Sequence, residues 1–330
     1  DHRDLHRVDR RQRQMCIRDR GSRPDLAKIE VNVPEGYIAD KVLPPVYVSQ
    51  KSGVVYYADV TADVGAQTGR TAGQAPATTI ISALSTTYSC SEKVRRAGIP
   101  PDEAKTFGGV DKAEVVGTKW AKRQVLKTIE EAVRDVTLGA TPSATFDAAK
   151  IITQTQTALD AIRRYEGKTT LLTSTVTFKA MVQAMLAEST IGVMLSRIVS
   201  GGNPKAAVTG MSLDSWKEAV AILFGVDQVL LGDSTIWNSG SASGRIAIGK
   251  YDTGGDELSF KWQPIFGRSF VFLPDGFEVP WDVQAVADRV NMVNLFTAIA
   301  WQGNVVFHSG AQYVIAVSYT HLTLPTIYSV

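Results

Sequence analysis

Residues 111–138 read DKAEVVGTKWAKRQVLKTIEEAVRDVTL, a stretch without proline and with one glycine, Gly117. Proline inside a helix removes a hydrogen bond and clashes with the turn before it, so such a run permits a long helix. From Trp120 onward the composition predicts one continuous helix of about 19 residues, roughly 28 Å long at 1.5 Å per residue. Leu126, Ile129, Val133 and Val136 recur at three- and four-residue steps, which predicts a narrow apolar stripe. Gly139, followed by Ala140, Thr141 and Pro142, is a stop signal. The first half is basic (Lys119, Lys122, Arg123, Lys127) and the second mostly acidic (Glu130, Glu131, Asp135). Two readings stay open at this point. One is a solvated amphipathic helix on a globular domain; the other is a strut with little core of its own, packed against neighbouring subunits.

The ends read differently from the rest. Residues 1–20 (DHRDLHRVDRRQRQMCIRDR) and 318–330 (SYTHLTLPTIYSV) are similar to peptides produced when sequencing-adapter DNA is translated, so both are read as artefactual tails. The literal alternative for the first is a basic arm with seven Arg. Setting both aside removes a net +3 and leaves a nearly neutral chain of about −1. It also leaves His308 as the one histidine and Cys90 as the one cysteine. A single Cys makes neither a disulfide framework nor a cysteine metal site, and fits a reducing compartment weakly. One His and one Cys make a Ser-His-Asp triad or a His-rich metal site hard to build. The remaining length suits one large domain or two smaller ones, and no apolar run approaches a membrane span.

In chain order, Pro44 and Pro45 impose extended backbone, an arm along a surface rather than a central strand. Residues 54–60 (VVYYADV) and 78–90 (TTIISALSTTYSC) read as strands, and 65–76 (GAQTGRTAGQAP) as the loop between them. Such a two-stranded excursion is marginal alone in water, so its own domain or another chain must cover it. Residues 91–110, broken by Pro100 and Pro101, read as a connector. Helices are predicted over 146–165, 176–187, 191–199 (continuing from the one before) and 213–224, the last with Ser212 as N-cap. Phe178, Met181, Val182, Met185 and Leu186 should point inward. Strands are predicted over 169–173, 228–231, 245–251, 269–273, 278–286, 305–308 and 312–317. This is α+β without the alternation of a doubly wound sheet, and without an internal repeat.

Each chemical motif has a structural explanation. GRIAIGK (residues 244–250) has P-loop spacing, but Tyr251 stands where Ser or Thr should bind magnesium, and its middle reads as a strand. NSGSASG (238–244) carries Ala242 at the nucleophile position of a hydrolase elbow and reads as a flexible surface loop. His308 reads as a core or interface residue, and Trp262, Trp281 and Trp301 as packing residues. The pairs Asp102–Glu103 and Glu130–Glu131 are adjacent and do not face each other on a helix. No catalytic, cofactor-binding or metal-ligating residue is assigned, and no cofactor is expected.

The order of these parts carries a resemblance. IADKVLPPVYVSQKSGVVYY comes first, then the excursion ending in TYSC, the IPPDEA connector and TKWAKRQVLKTIEEAV. TTLLTSTVTFKAMVQ and SWKEAVAILFGVDQVLLGDSTIWN follow. Together they resemble the major capsid protein of tailed bacteriophages, with its Hong Kong 97-type fold. The resemblance implies an N-arm over residues 21–53 and an E-loop over 54–90. It implies a peripheral domain with the spine helix over 91–167, an axial domain over 168–275, and a return through the peripheral domain with final axial strands over 276–317. It further implies hexamers and pentamers of a shell, scaffolding and portal proteins as partners, weak nonspecific contact with packaged DNA, and no membrane. The implied location is the virion capsid, assembled in the host cytoplasm. Some relatives cross-link subunits through a Lys and an Asn; here Lys51 and Lys93 only flank the excursion, and no pair is assigned. Lys119, Lys122, Arg123 and Lys127 are read as a solvated helix face, with a lumenal face as the second reading. An encapsulin-like nanocompartment shell is the alternative, and a soluble α+β enzyme the other class.

Overall fold

The computed structural model describes residues 22–33, 36–59, 83–200, 212–252, 261–275, 277–288 and 292–317. The excursion's predicted loop at 65–76 and both tails lie outside these residues. Short helices α1 (Pro24–Ala27) and α2 (Ala39–Val42) precede strand β1 (Pro45–Val48) and the hairpin β2 (Ser52–Ala58) and β3 (Ala83–Ser89). Then come β4 (Ser91–Ile99), α3 (Pro101–Thr106), α4 (Val110–Thr137), β5 (Ala144–Thr145), α5 (Ile151–Ile162) and β6 (Lys168–Ser174). Helices α6 (Thr175–Ala187), α7 (Ser189–Ser200) and α8 (Leu213–Phe224) lead to β7 (Gln228–Gly232) and α9 (Ser234–Trp237). Strands β8 (Arg245–Asp252), β9 (Gly267–Phe272), β10 (Asp282–Asp288), β11 (Val293–Val306) and β12 (Gln312–Ala316) complete the order.

Two sheets organise the molecule. In the first, β11 is the axis. β4 runs antiparallel along one side of it, and β10 and then β9 occupy the other, with β1 parallel to β9 at the edge. An edge position suits β1, because Pro45 cannot donate to a ladder. The second sheet has the order β5-β12-β8-β6-β7 and carries the helices between β6 and β7. One large apolar core runs through both, from Val42 and Phe296 to Trp237 and Ile248.

Local signals account for much of this. Ser212 caps α8 by accepting from the Ser215 N–H at 3.2 Å, and the helix has the predicted bounds. Phe178, Met181, Val182 and Met185 are buried on α6, with Leu186 packed against the same core. Helix α7 does not continue α6: the axis turns by 112° at the break. The predicted helix over 146–165 begins later, as a 3-10 turn at Ala148–Lys150 with Asp147 accepting from the Ala149 N–H.

Other expectations are corrected. The long helix starts at Val110, not Trp120, and spans 28 residues. Gly117 does not break it, because its missing side chain is what lets α4 lie on β11. A Cβ there would collide with the Phe296 ring. The buried row is Ala113, Gly117, Ala121, Val125, Ile129 and Val133, at four-residue steps, whereas Leu126 and Val136 are only half-buried. The supposed connector holds β4, whose inward residues Ala97 and Ile99 are buried beneath α4. β11 is 14 residues long, far beyond the predicted 305–308. Residues 238–244 form an ordered turn, with the Gly244 N–H donating to the Asn238 side chain at 3.1 Å and Ala242 buried.

The Gly117 contact gives a first prediction. Gly117→Val should cost the subunit about 1–3 kcal/mol, as overpacking does, because two backbones already fix the gap. A urea melt reads this as a lower midpoint at unchanged slope; an unchanged midpoint would mean the helix can lift off Phe296 freely.

Candidate assembly surface

The hairpin β2–β3 has two faces because side chains alternate along a strand. Ser52 pairs with Ser89, Val54 with Thr87 and Tyr56 with Ser85. On the inward face Val55 and Tyr88 are buried in a second apolar cluster with Val46, Phe270, Val305 and Phe307. Tyr88 stacks on Phe270 with centroids 4.8 Å apart, and Tyr57 lies 5.1 Å from Phe307. The foot of the hairpin is therefore anchored in its own subunit, more firmly than a marginal excursion would be. On the outward face Val54 is 55% exposed and Tyr56 62%. Leu84, paired with Tyr57 on the other face near the end of the described strands, is also exposed. Exposed aliphatic and aromatic groups on a ribbon leaving the body are the composition of a contact surface.

A second set of exposed apolar residues lies on the helices of the other sheet: Val176, Val193, Met194 and Ile222. Outward-facing apolar positions thus occur on the hairpin and on the helices of the second sheet.

Helix α4 holds the N-terminal segment through two buried charged residues, Lys122 and Glu130. The Lys122 ammonium donates to the Ala27 carbonyl at 2.7 Å and the Ile29 carbonyl at 2.9 Å, and lies over the Trp281 ring. Burial brings its pKa down to about 8. This corrects the reading of Lys122 as part of a solvated face. Eight residues on, the Glu130 carboxylate accepts from the Ile38 N–H at 3.0 Å and the Ala39 N–H at 3.1 Å. It therefore caps α2, which has no capping side chain of its own. The Trp237 indole N–H also donates to it, and Gly232 leaves that ring room, since a Cβ there would overlap it. Burial pushes Glu130 up to about 7 against the pull of these three donors. Glu131, its neighbour, faces solvent.

The other singled-out residues are structural in their surroundings. Residues 245–250 of GRIAIGK lie in β8, paired on both sides, and Gly244 belongs to the turn before it. His308 sits against the rings of Tyr57 and Tyr165, at 5.1 and 5.6 Å. Cys90 is buried at the hairpin foot with its thiol pushed up by burial. Trp301 packs against Phe272 and Trp281 takes Lys122, while Trp262 is exposed. Asp102 and Glu103 are both exposed on α3. A cavity of about 330 Å³ under residues 27–33 is lined largely by apolar groups such as Ile29, Leu126 and Trp281, and Lys122 there is already engaged. Among the described residues, no three His, Cys, Asp or Glu gather as metal ligands.

Lys122 and Glu130 were not singled out as buried from sequence. A signal existed: the predicted stripe Leu126, Ile129, Val133, continued one turn back, reaches Lys122. A cation on an apolar stripe must find acceptors or snorkel.

Comparison with solved structures decides the fold. A phage-related protein from Bordetella bronchiseptica RB50 superposes with a TM-score of 0.60 at 14% identity, over 90% of this chain and 97% of that one. The capsid of a native GTA particle gives 0.51 at 13% identity, over 88% and 93%. The capsid of cyanophage P-SCSP1u gives 0.51 at 8% identity, over 88% and 91%. The chain has the Hong Kong 97-type capsid fold. No family model and no curated protein matches the sequence. At these identities the likeness is one of architecture, and the Hong Kong 97-type arrangement is recovered here by a largely different set of side chains.

Proposed function

We propose that this chain is a major capsid protein, a structural and non-enzymatic subunit that assembles with its own copies into the icosahedral head shell of a tailed bacteriophage. The observation that carries this reading is the hairpin: a ribbon anchored at its foot and apolar on its outer face, on a capsid fold. Residues 21–53 would serve as N-arm, 54–90 as E-loop, 91–167 as peripheral domain with α4 as spine, and 168–275 as axial domain. Residues 276–317 would return through the peripheral domain as β10 and β11 and end in the final axial strands, with β12 among them. Hexamers and pentamers are the proposed units, with scaffolding and portal proteins as partners and packaged DNA in weak, nonspecific contact. The proposed location is the virion capsid, after assembly in the host cytoplasm. A shell repeats one interface many times, so modest contact energies suffice once rings close.

Purified protein should form capsomers or shells, visible by light scattering and negative-stain microscopy. A well-behaved monomer across salt, pH and crowding conditions, with scaffold supplied, would sink this reading.

A further inference from the structure

Residues 27–33 roof a cavity of about 330 Å³ between α4 and the first sheet. Its floor is a row across three strands. Val271 of β9 pairs with Tyr47 of β1 on one side and Gln302 of β11 on the other, so the three side chains share a face. Leu126 of α4, Ile29 of the roof and Trp281 close the sides. These walls are largely apolar, and an apolar cavity of about 150 Å³ already admits benzene. A space about twice that size suits two fused rings.

The buried cation in the cavity is already satisfied. The Lys122 ammonium has the Ala27 and Ile29 carbonyls at 2.7 and 2.9 Å and the Trp281 ring at 5.5 Å. Tyr37 donates its hydroxyl to Asp40 at 3.1 Å, and the carboxylates Glu30 and Asp40 are exposed. Gln302 differs. It is 5% exposed, and its amide nitrogen donates to the Ser269 hydroxyl, with the Asn304 side-chain oxygen 3.5 Å away. Its amide oxygen is buried and has no partner among the described residues. A buried acceptor without a donor costs free energy, and such groups are rare enough in folded proteins to need a cause. One water would be a poor remedy, since it needs two to four polar partners and the walls here are apolar.

We propose that this cavity binds a small uncharged molecule, a fused aromatic ring system or one of similar bulk, whose single N–H or O–H donates to the Gln302 amide oxygen. The apolar body takes the space under the roof between Leu126 and Trp281, and the donor satisfies the oxygen. Roof, helix and sheet each supply a wall, so an occupant holds residues 27–33 against the body, as Lys122 does at their start. The site is built by one subunit and does not rest on the shell reading.

The probes are 3-methylindole and 1-methylindole, isomers of equal bulk of which the first alone has an N–H. Calorimetric titration of the full-length, unassembled chain should show about tenfold tighter binding of 3-methylindole, the worth of one neutral hydrogen bond. Gln302→Met, which keeps the bulk and removes the acceptor, should bind both isomers equally, at the affinity of wild type for 1-methylindole. Ser269→Ala removes the partner of the amide nitrogen but leaves the oxygen, and should keep the preference. Val271→Trp fills the floor and should bind neither isomer while retaining a cooperative thermal transition. If Gln302→Met fails to fold, the isomer pair on wild type, Ser269→Ala and Val271→Trp decides the matter. Absence of binding by both isomers, equal affinities in wild type, a preference that survives Gln302→Met, or undiminished binding to Val271→Trp would each overturn the proposal. So would tighter binding of octanoate than of 3-methylindole, which would assign the cavity to an anion at Lys122.

Discussion

Replacing residues 62–78 by an Asn-Gly turn leaves the isolated subunit's stability within about 1 kcal/mol and abolishes or disorders the shell. The described anchoring of the hairpin is at its foot, where Val55 and Tyr88 enter the cluster around Phe270 and Phe307. The replaced residues lie beyond Ala58 and Ala83, the last described pair of the ribbon. The subunit keeps every contact named above, which is the condition for a small change in folding energy. In the shell the missing segment is lost at every subunit contact, and the losses add around closed rings. Denaturant melts and negative-stain images separate the two effects. Normal, equally stable shells from the shortened chain would show that the excursion is no intersubunit strap. A subunit that fails to fold would place the excursion in the subunit core.

Glu130→Ala lowers the stability of the subunit by at least about 3 kcal/mol. The substitution strands the Ile38 and Ala39 N–H groups and the Trp237 indole N–H, and a buried donor without a partner costs about 1–3 kcal/mol. It also uncaps α2 and leaves space beside a fully buried Trp237. A midpoint shift in urea at constant slope reports it, and a change under 1 kcal/mol would mean that water replaces the carboxylate.

The same residue links stability to pH. Its pKa in the folded state, about 7, lies above the value of 4.5 it has when exposed, so folding takes up a proton between these limits. The stabilisation is complete below about 4.5 and is lost as pH rises through 7. Asp40, itself raised by burial and close enough to raise Glu130 further, works in the same direction. Lys122, held down at about 8, works in the opposite sense: its contribution appears only above that pH. The N-terminal segment is therefore held least tightly between about 7 and 8. The difference in unfolding energy between wild type and Glu130→Gln should fall as pH rises from 5 to 8. A constant difference would show that Glu130 does not titrate in this range.

Much of the chain is legible locally. α8 has its predicted ends because its cap, Ser212, is three residues from the N–H it accepts. β6 and β8 read as strands because each centres on a short β-prone stretch, TTLLT and IAI, which the fold buries. The order of such pieces, arm then excursion then long helix, already carries the resemblance to capsid proteins that the fold bears out. The assembly surface was only partly legible: the excursion was visible, but not which of its side chains face out.

What the tertiary structure decided depends on residues far apart in the chain. β4 reads SEKVRRAGI and looks like a polar connector; it is a strand because β11, some 200 residues later, supplies its ladder. β11 has Ala298 and Ala300 at its centre, poor strand formers alone, and they are required there because α4 lies over them. Lys122 and Lys119 are the same residue type three positions apart on one helix. One is buried because two carbonyls more than 90 residues away accept from it, and the other faces solvent. The residues by themselves set the period of the helix and the positions of its charges. Which charges turn inward is determined by the partners that the fold places beside them, because burying an ion is tolerable only where its hydrogen bonds are already in place.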